Sequence, residues 1–138
     1  MELSSLNPEQ RQAVRTVDGP LLILAGAGTG KTRVITSRVA YMISRGIRPR
    51  NILAVTFTNK AAREMKERVR SLVPKRRLVD QDGQAEKPTI CTFHSLCARI
   101  LRRHITKLGY KKNFVIYDET EQLGVVRRLL SQISLGSK

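Results

Sequence analysis

Four short apolar runs punctuate the chain: "LLILA" at 21–25, "ILAVTF" at 52–57, "TICTF" at 89–93 and "FVIY" at 114–117. Each is continuous rather than alternating, the pattern of a strand covered on both faces in a parallel sheet. Between the runs the apolar positions shift to the three-and-four spacing of an amphipathic helix. Lys31 to Arg45 places Ile35, Val39, Met42 and Ile43 on one face and stops at Gly46. Lys60 to Val73 does the same with Ala62, Met65, Val69 and Leu72, starting after Asn59 and ending at Pro74. Ser95 to Leu108 carries Leu96, Ile100, Leu101, Ile105 and Leu108, and Gly109 supplies a helix-ending residue. Asn7 and Pro8 open an earlier helix that runs to about Val17. A last helix, about Glu119 to Leu135, carries Leu123, Val126, Leu130 and Ile133.

Strand and helix alternate throughout, which predicts an α/β fold with right-handed crossovers. The stretch "PKRRLVDQDGQAEKP" (74–88) has no period and a proline at each end, so it predicts a solvated loop. At 138 residues the chain has the length of one ordinary domain.

Charge narrows the class. Lys and Arg number 26 against 11 Asp and Glu, a net charge of +15. Such an excess points to a polyanionic partner, nucleic acid first and an anionic membrane second. An idle basic surface, or a piece separated from an acidic counterpart, is the plainer alternative. The longest apolar run, 21–25, is far short of the ~20 residues of a crossing helix, which predicts no membrane span. "MELSSLNPEQ" has neither the basic nor the apolar region of a signal peptide, and "SLGSK" at 134–138 carries no domain-ending signal. Cys91 and Cys97 form no CxxC pair and sit among apolar neighbours, which predicts buried free thiols in a reducing cytoplasm.

The densest chemistry lies in "LLILAGAGTGKT" (21–32). Ala25-x-x-x-x-Gly30-Lys31-Thr32 fits the phosphate-loop pattern except for Ala at its first position. It follows a predicted strand and opens a predicted helix, the context the motif requires. Gly26, Gly28 and Gly30 let the backbone curl so that its N–H groups face phosphate oxygens. The helix start adds its positive dipole end. In this reading Lys31 neutralises β- and γ-phosphates and the Thr32 hydroxyl completes a Mg²⁺ shell, so ATP with Mg²⁺ is the expected ligand. Gln10 has two readings. With Asn7 it forms a capping box; as an amide upstream of a phosphate loop it can also read adenine.

Beyond the loop, "LNPEQRQAV" (6–14), "AGAGTGKTRV" (25–34), "AVTFTNKAAREMKERV" (54–69) and "TFHSLCARIL" (92–101) follow in order at compact spacing. Together they closely resemble the N-terminal motor segment of the UvrD/Rep/PcrA-type superfamily 1 DNA helicases, from about Leu6 onward. The resemblance implies a P-loop NTPase (RecA-like) parallel sheet flanked by helices, incomplete, with the start of an inserted helical subdomain. It divides the chain into 1–108, part of the first motor domain, and 109–138, the start of the insertion. It further implies that Gln10 reads adenine, that Ala25, Gly26, Ala27, Gly28, Thr29, Gly30, Lys31 and Thr32 hold the nucleotide phosphates and Mg²⁺, and that Arg33 packs by the base. Thr56, Phe57 and Asn59, and then Thr92 and His94, match the motifs lining the single-stranded DNA track. The residues support part of this independently. Strand C-terminal ends gather on one edge of a parallel sheet, where an exposed aromatic can stack a base. Core packing is the alternative for Phe57 and Phe93, and a helix-start hydrogen bond for His94. The basic pairs Arg76-Arg77, Arg102-Arg103, Lys111-Lys112 and Arg127-Arg128 are assigned to no partner.

"FVIYDETEQL" (114–123) reads in two ways. Four apolar residues before Asp-Glu resemble the metal-binding strand of an ATPase, which would make the chain a self-sufficient small ATPase or kinase using Asp118 and Glu119. Asp118-x-x-Glu121 is also a capping box opening an amphipathic helix, and this is the favoured reading. The resemblance agrees, because the family's metal-binding Asp-Glu motif lies beyond the helical insertion. Its arginine finger and second motor domain are absent from these residues too. The expectation is therefore an ATP-binding front portion of a DNA helicase or translocase, without hydrolysis or unwinding of its own, that works with the remainder of the motor. A non-catalytic nucleic-acid-binding module is the third reading.

Overall fold

The structure, a computed structural model, describes the backbone of residues 3–135 and the side chains through Ile133. Met1, Glu2 and the last three residues of "SLGSK" lie outside the described residues. The chain forms two compact units, Met1–Cys97 and Ala98–Lys138.

In the first unit, α1 spans Pro8–Arg15 and begins with the predicted capping box. The Asn7 side chain accepts from the Gln10 amide N–H at 2.8 Å, and Gln10 Oε1 accepts from the Asn7 N–H at 3.2 Å. Helix α2 spans Lys31–Ser44 behind Gly30, which sits at φ 87°. Strand β1 covers Leu53–Thr56, α3 Asn59–Leu72, and β2 Thr89–Thr92. Thr58, one residue before the predicted start, caps α3 by accepting from the Ala61 N–H at 3.1 Å. The two strands pair in parallel, Leu53 opposite Thr89 through Thr56 opposite Thr92. Each ends at the same edge, and α3 lies in the crossover between them.

The main core joins α2, α3 and the sheet through Val39, Ile43, Ile52, Met65, Val69 and Ile90. A smaller cluster of Leu3, Leu6, Val14 and Val34 fixes α1 against α2. Each buried aliphatic side chain contributes about 1.5–3 kcal/mol, so four of them suffice to hold a two-turn helix that has little stability alone.

Two predicted strands do not form. Residues 21–25 have no regular structure, with Leu22 82% and Leu24 88% exposed. Residues 114–117 are equally irregular, and Val115, Ile116 and Tyr117 are all exposed. A sheet strand needs a hydrogen-bonded neighbour on at least one edge, and among the described residues only β1 and β2 pair. Residues 74–88 depart from expectation in the opposite direction. A short 3₁₀ turn at Lys75–Arg77 leads into a hairpin-like turn in which Val79 bridges Ala85. Asp80 Oδ1 accepts from the N–H groups of Gln84 at 2.7 Å and Asp82 at 3.1 Å, and Arg50 pairs with Glu86 at 3.1 Å. Local Asx hydrogen bonding gives this stretch order that periodicity does not register. Of the two thiols, Cys91 is buried and Cys97 is exposed, against the expectation that both are buried.

The second unit contains the rest of α4, which spans Phe93–His104. A 3₁₀ turn, Ile105–Leu108, ends at Gly109 with φ 79°. The Arg102 guanidinium lies 5.1 Å from the Phe114 ring centroid, a cation–π contact. Helix α5 spans Glu119–Leu135 and leaves Leu123, Val126 and Leu130 exposed. Among the described residues no helix is long and apolar enough to cross a membrane.

Candidate functional site

The loop between residue 25 and α2 turns where glycine permits it, with Gly28 at φ 75° and Gly30 at φ 87°. Both lie in the left-handed region that a side chain penalises. The Thr29 hydroxyl donates to the Gly26 carbonyl at 2.8 Å, closing the turn. Lys31, at the first position of α2, folds its ammonium back onto the loop and donates to the carbonyls of Ala25 at 3.0 Å and Gly26 at 2.6 Å. Gln10 reaches over from α1, its Nε2 donating to the Thr29 carbonyl at 3.0 Å. The Gln10 amide therefore works at both ends, capping α1 through Oε1 and touching the loop through Nε2. Neither sequence reading of Gln10 described this second contact.

Beside the loop lies a cavity of about 320 Å³, lined by Gln10, Ala13, Ile23, Ala25, Lys31 and Val34 among others. Its size falls in the range of small-molecule sites. A hollow of about 250 Å³ between Ile43, Arg48, Arg76 and Glu86 lies before the strands begin and contains no phosphate-binding loop.

Electrostatics favour an anion at the loop. Among the described residues Arg50–Glu86 is the sole ion pair, so neither Lys31 nor Arg33 is neutralised by a salt bridge, and Glu9 is the one acid that lines the cavity beside Lys31. The N–H groups at the start of α2 add to that field. Thr32 stands half-buried in the first turn, and no hydrogen bond engages its hydroxyl among the described residues. These residues fit a nucleoside triphosphate. The loop is glycine-permissive and cationic, it has a neutral hydroxyl for a hard cation, and an amide stands at its rim. For a phosphate to enter, Lys31 must exchange two carbonyl acceptors for phosphate oxygens, a gain in charge-assisted hydrogen bonding.

A second cluster forms at the C-terminal edge of the sheet. Phe57 follows β1 and Phe93 follows β2, and the parallel register brings their ring centroids to 5.5 Å at a tilt of 44°. Phe57 is 82% exposed and Phe93 44%, so neither is packed in the core. Asn59 opens α3 and His94 lies in the first turn of α4, both exposed. Thr56 is half-buried at the end of β1. Thr92 differs. It is buried, and its hydroxyl donates to Ser95 Oγ at 2.9 Å and accepts from the Ser95 N–H at 3.1 Å, so it serves the start of α4.

In the second unit the Asp118 box forms in both directions. Asp118 Oδ1 accepts from the Glu121 N–H at 2.8 Å, and Glu121 Oε2 accepts from the Asp118 N–H at 2.9 Å. Both acids are thus engaged in starting α5.

One site residue escaped sequence reasoning. Arg38, on α2, places its guanidinium on carbonyls at the end of α1. The available signal was its place between Val34 and Tyr41, a charged residue inside the stripe that packs on α1.

The family model described as the UvrD/REP helicase N-terminal domain matches residues 6–138. The ATP-dependent DNA helicase PcrA of Bacillus subtilis is 52% identical over 137 residues, covering 99% of this chain and 18% of that protein. The proteins of the same name from Staphylococcus aureus and Staphylococcus epidermidis are 50% and 48% identical over equal coverage. The chain spans 18% of the length of these curated relatives.

Proposed function

The chain belongs to the UvrD/REP helicase family, and from that premise we propose that it forms the ATP-binding front portion of a DNA motor acting on single-stranded DNA. The observation that carries the reading is the loop itself. Lys31, Gln10 and two left-handed glycines converge on one small anion-ready turn beside a cavity of suitable size.

In this reading the backbone N–H groups of residues 26–32 and the Lys31 ammonium hold the β- and γ-phosphates. Thr32 supplies a hydroxyl to Mg²⁺, Gln10 reads the adenine edge, and Arg33 packs by the base. Bound Mg²⁺-ATP would supply the phosphoryl-transfer chemistry, whose transition state depends on electrostatic stabilisation. The exposed Phe57–Phe93 pair stacks bases of single-stranded DNA, with Thr56, Asn59 and His94 along the same edge and Thr92 holding the start of α4. Residues 1–108 belong to the first RecA-like motor domain and 109–138 to the start of its helical insertion. Residues 21–25 take up strand structure only alongside further strands of the motor, which together with the second motor domain is the partner this portion requires. A reducing, cytoplasmic setting suits its two free thiols.

The rival, a self-sufficient ATPase using Asp118 and Glu119, is disfavoured because Asp118 and Glu121 are reciprocally engaged in a helix cap. The test is binding of a fluorescent ATP analogue with Mg²⁺, together with ATP turnover, for the chain and for Lys31→Ala and Asp118→Asn. The expected result is saturable binding that Lys31→Ala abolishes, with no turnover for Asp118→Asn to remove. Equal binding by Lys31→Ala would refute the nucleotide site; turnover that disappears in Asp118→Asn would establish the rival.

A further inference from the structure

Arg38 stands one turn after Val34 on α2, within the stripe that packs against α1. One guanidinium nitrogen donates to the Ala13 carbonyl at 2.6 Å and also to the Thr16 carbonyl, and the other donates to the Val17 carbonyl at 3.3 Å. These acceptors lie in and just beyond the last turn of α1, where a helix leaves its carbonyls without intrahelical donors and its dipole is negative. Arg38 thus caps α1 from the neighbouring helix.

The same two helices carry the two halves of the nucleotide site. Gln10 is in the first turn of α1, and Lys31 and Thr32 begin α2. Helix α1 is eight residues long and too short to be stable alone, so its position is set by what holds it. Its fixtures are the packing of Leu3, Leu6 and Val14 with Val34, the Gln10 bond to the loop, and the guanidinium at its far end. A short helix moves as a rod, so loosening its C-terminal end also displaces Gln10 from the Thr29 carbonyl, now 3.0 Å from Nε2.

We infer that Arg38 is a positioning residue for base recognition: by capping α1 from α2 it sets Gln10 at the rim of the phosphate loop without itself touching nucleotide. The inference rests on the nucleotide reading above. It separates recognition of the base, which passes through α1, from recognition of the phosphates, which belongs to the loop and α2.

The experiment compares Mg²⁺-ATP with inorganic tripolyphosphate, which has the charge but no base, as ligands of the 138-residue chain. Arg38→Met is expected to weaken ATP about 3- to 10-fold, the worth of one ordinary hydrogen bond, and to leave tripolyphosphate unchanged. Arg38→Lys, whose ammonium still offers donors to carbonyls, is expected to recover part of the loss. Gln10→Ala combined with Arg38→Met should bind ATP no more weakly than Gln10→Ala alone, because both changes remove one contact. Parallel weakening of both ligands would mean that Arg38 merely supports the fold, and would overturn the inference. Unchanged ATP affinity, or additive losses in the double variant, would overturn it equally. If Arg38→Met loses its helical circular dichroism, Arg38→Gln carries the same comparison with the same outcomes. ATP binding indifferent to Lys31→Ala would remove the nucleotide reading and the inference together, whereas binding that needs Lys31 but ignores Arg38 would remove the inference alone.

Discussion

Replacing Gly30 with alanine tests how tightly the loop and α1 are joined. Gly30 sits at φ 87°, where an L side chain costs about 1–2 kcal/mol. An added Cβ would also lie 3.2 Å from Gln10 Nε2, closer than a carbon and an amide nitrogen ordinarily approach. The Gln10 amide would have to retreat by a few tenths of an ångström, yet both of its ends are hydrogen-bonded, to Asn7 N–H and to the Thr29 carbonyl. Losing one of those bonds adds about 0.5–1.5 kcal/mol, for a total of about 2–3 kcal/mol. Gly28→Ala is the internal control. Its φ of 75° exacts the same backbone cost, but nothing lies within 4 Å of the added carbon. Urea denaturation followed by circular dichroism should therefore rank Gly30→Ala as the more destabilised of the two. Its midpoint on heating should fall by roughly 6–15 °C, at about 3–5 °C per kcal/mol for a chain of this length. In a Gln10→Ala background the Gly30 penalty should shrink to its backbone part, a coupling of about 1 kcal/mol. Equal losses at Gly28 and Gly30, or no coupling to Gln10, would refute the proposed contact between helix and loop.

Three further outcomes follow from the geometry. Phe57→Ala should weaken binding of a fluorescent oligothymidine by about 1–3 kcal/mol, read by anisotropy, while the melting temperature of this exposed position stays unchanged; full affinity without the ring would remove it from the DNA track. Asp118→Ala should lower helical circular dichroism and cost the second unit about 1 kcal/mol, the worth of a helix cap, and an unaltered helix signal would contradict the reciprocal box. Leu24→Lys, at a side chain 88% exposed, should change stability by less than about 0.5 kcal/mol, whereas a cost above 2 kcal/mol would show residues 21–25 to be packed.

Leu24 also marks where sequence patterning and structure part. The helical segments were legible because an amphipathic helix satisfies its own backbone and needs only one covered face, as Val39 and Ile43 of α2 or Met65 and Val69 of α3 illustrate. Caps were legible for the same local reason: Asn7–Gln10 and Asp118–Glu121 close within four residues and formed as read. A parallel strand is different, since its hydrogen bonds lie in another part of the chain. "ILAVTF" and "TICTF" have each other, through α3, and both yield strands. "LLILA" is as continuously apolar but has no paired neighbour among the described residues, and remains irregular with its leucines in solvent. An apolar run thus records the burial a segment is suited to, not the burial it has. The same distinction governs the site. Lys31, Thr32 and the glycines were legible from a motif whose residues are consecutive, and Phe57 gained its meaning from a register that places it beside Phe93. Arg38 was not legible, because an arginine within a helix carries no sign of which carbonyls it will meet. Only the packing of α1 on α2 supplies them, and that packing is what Arg38→Met would loosen.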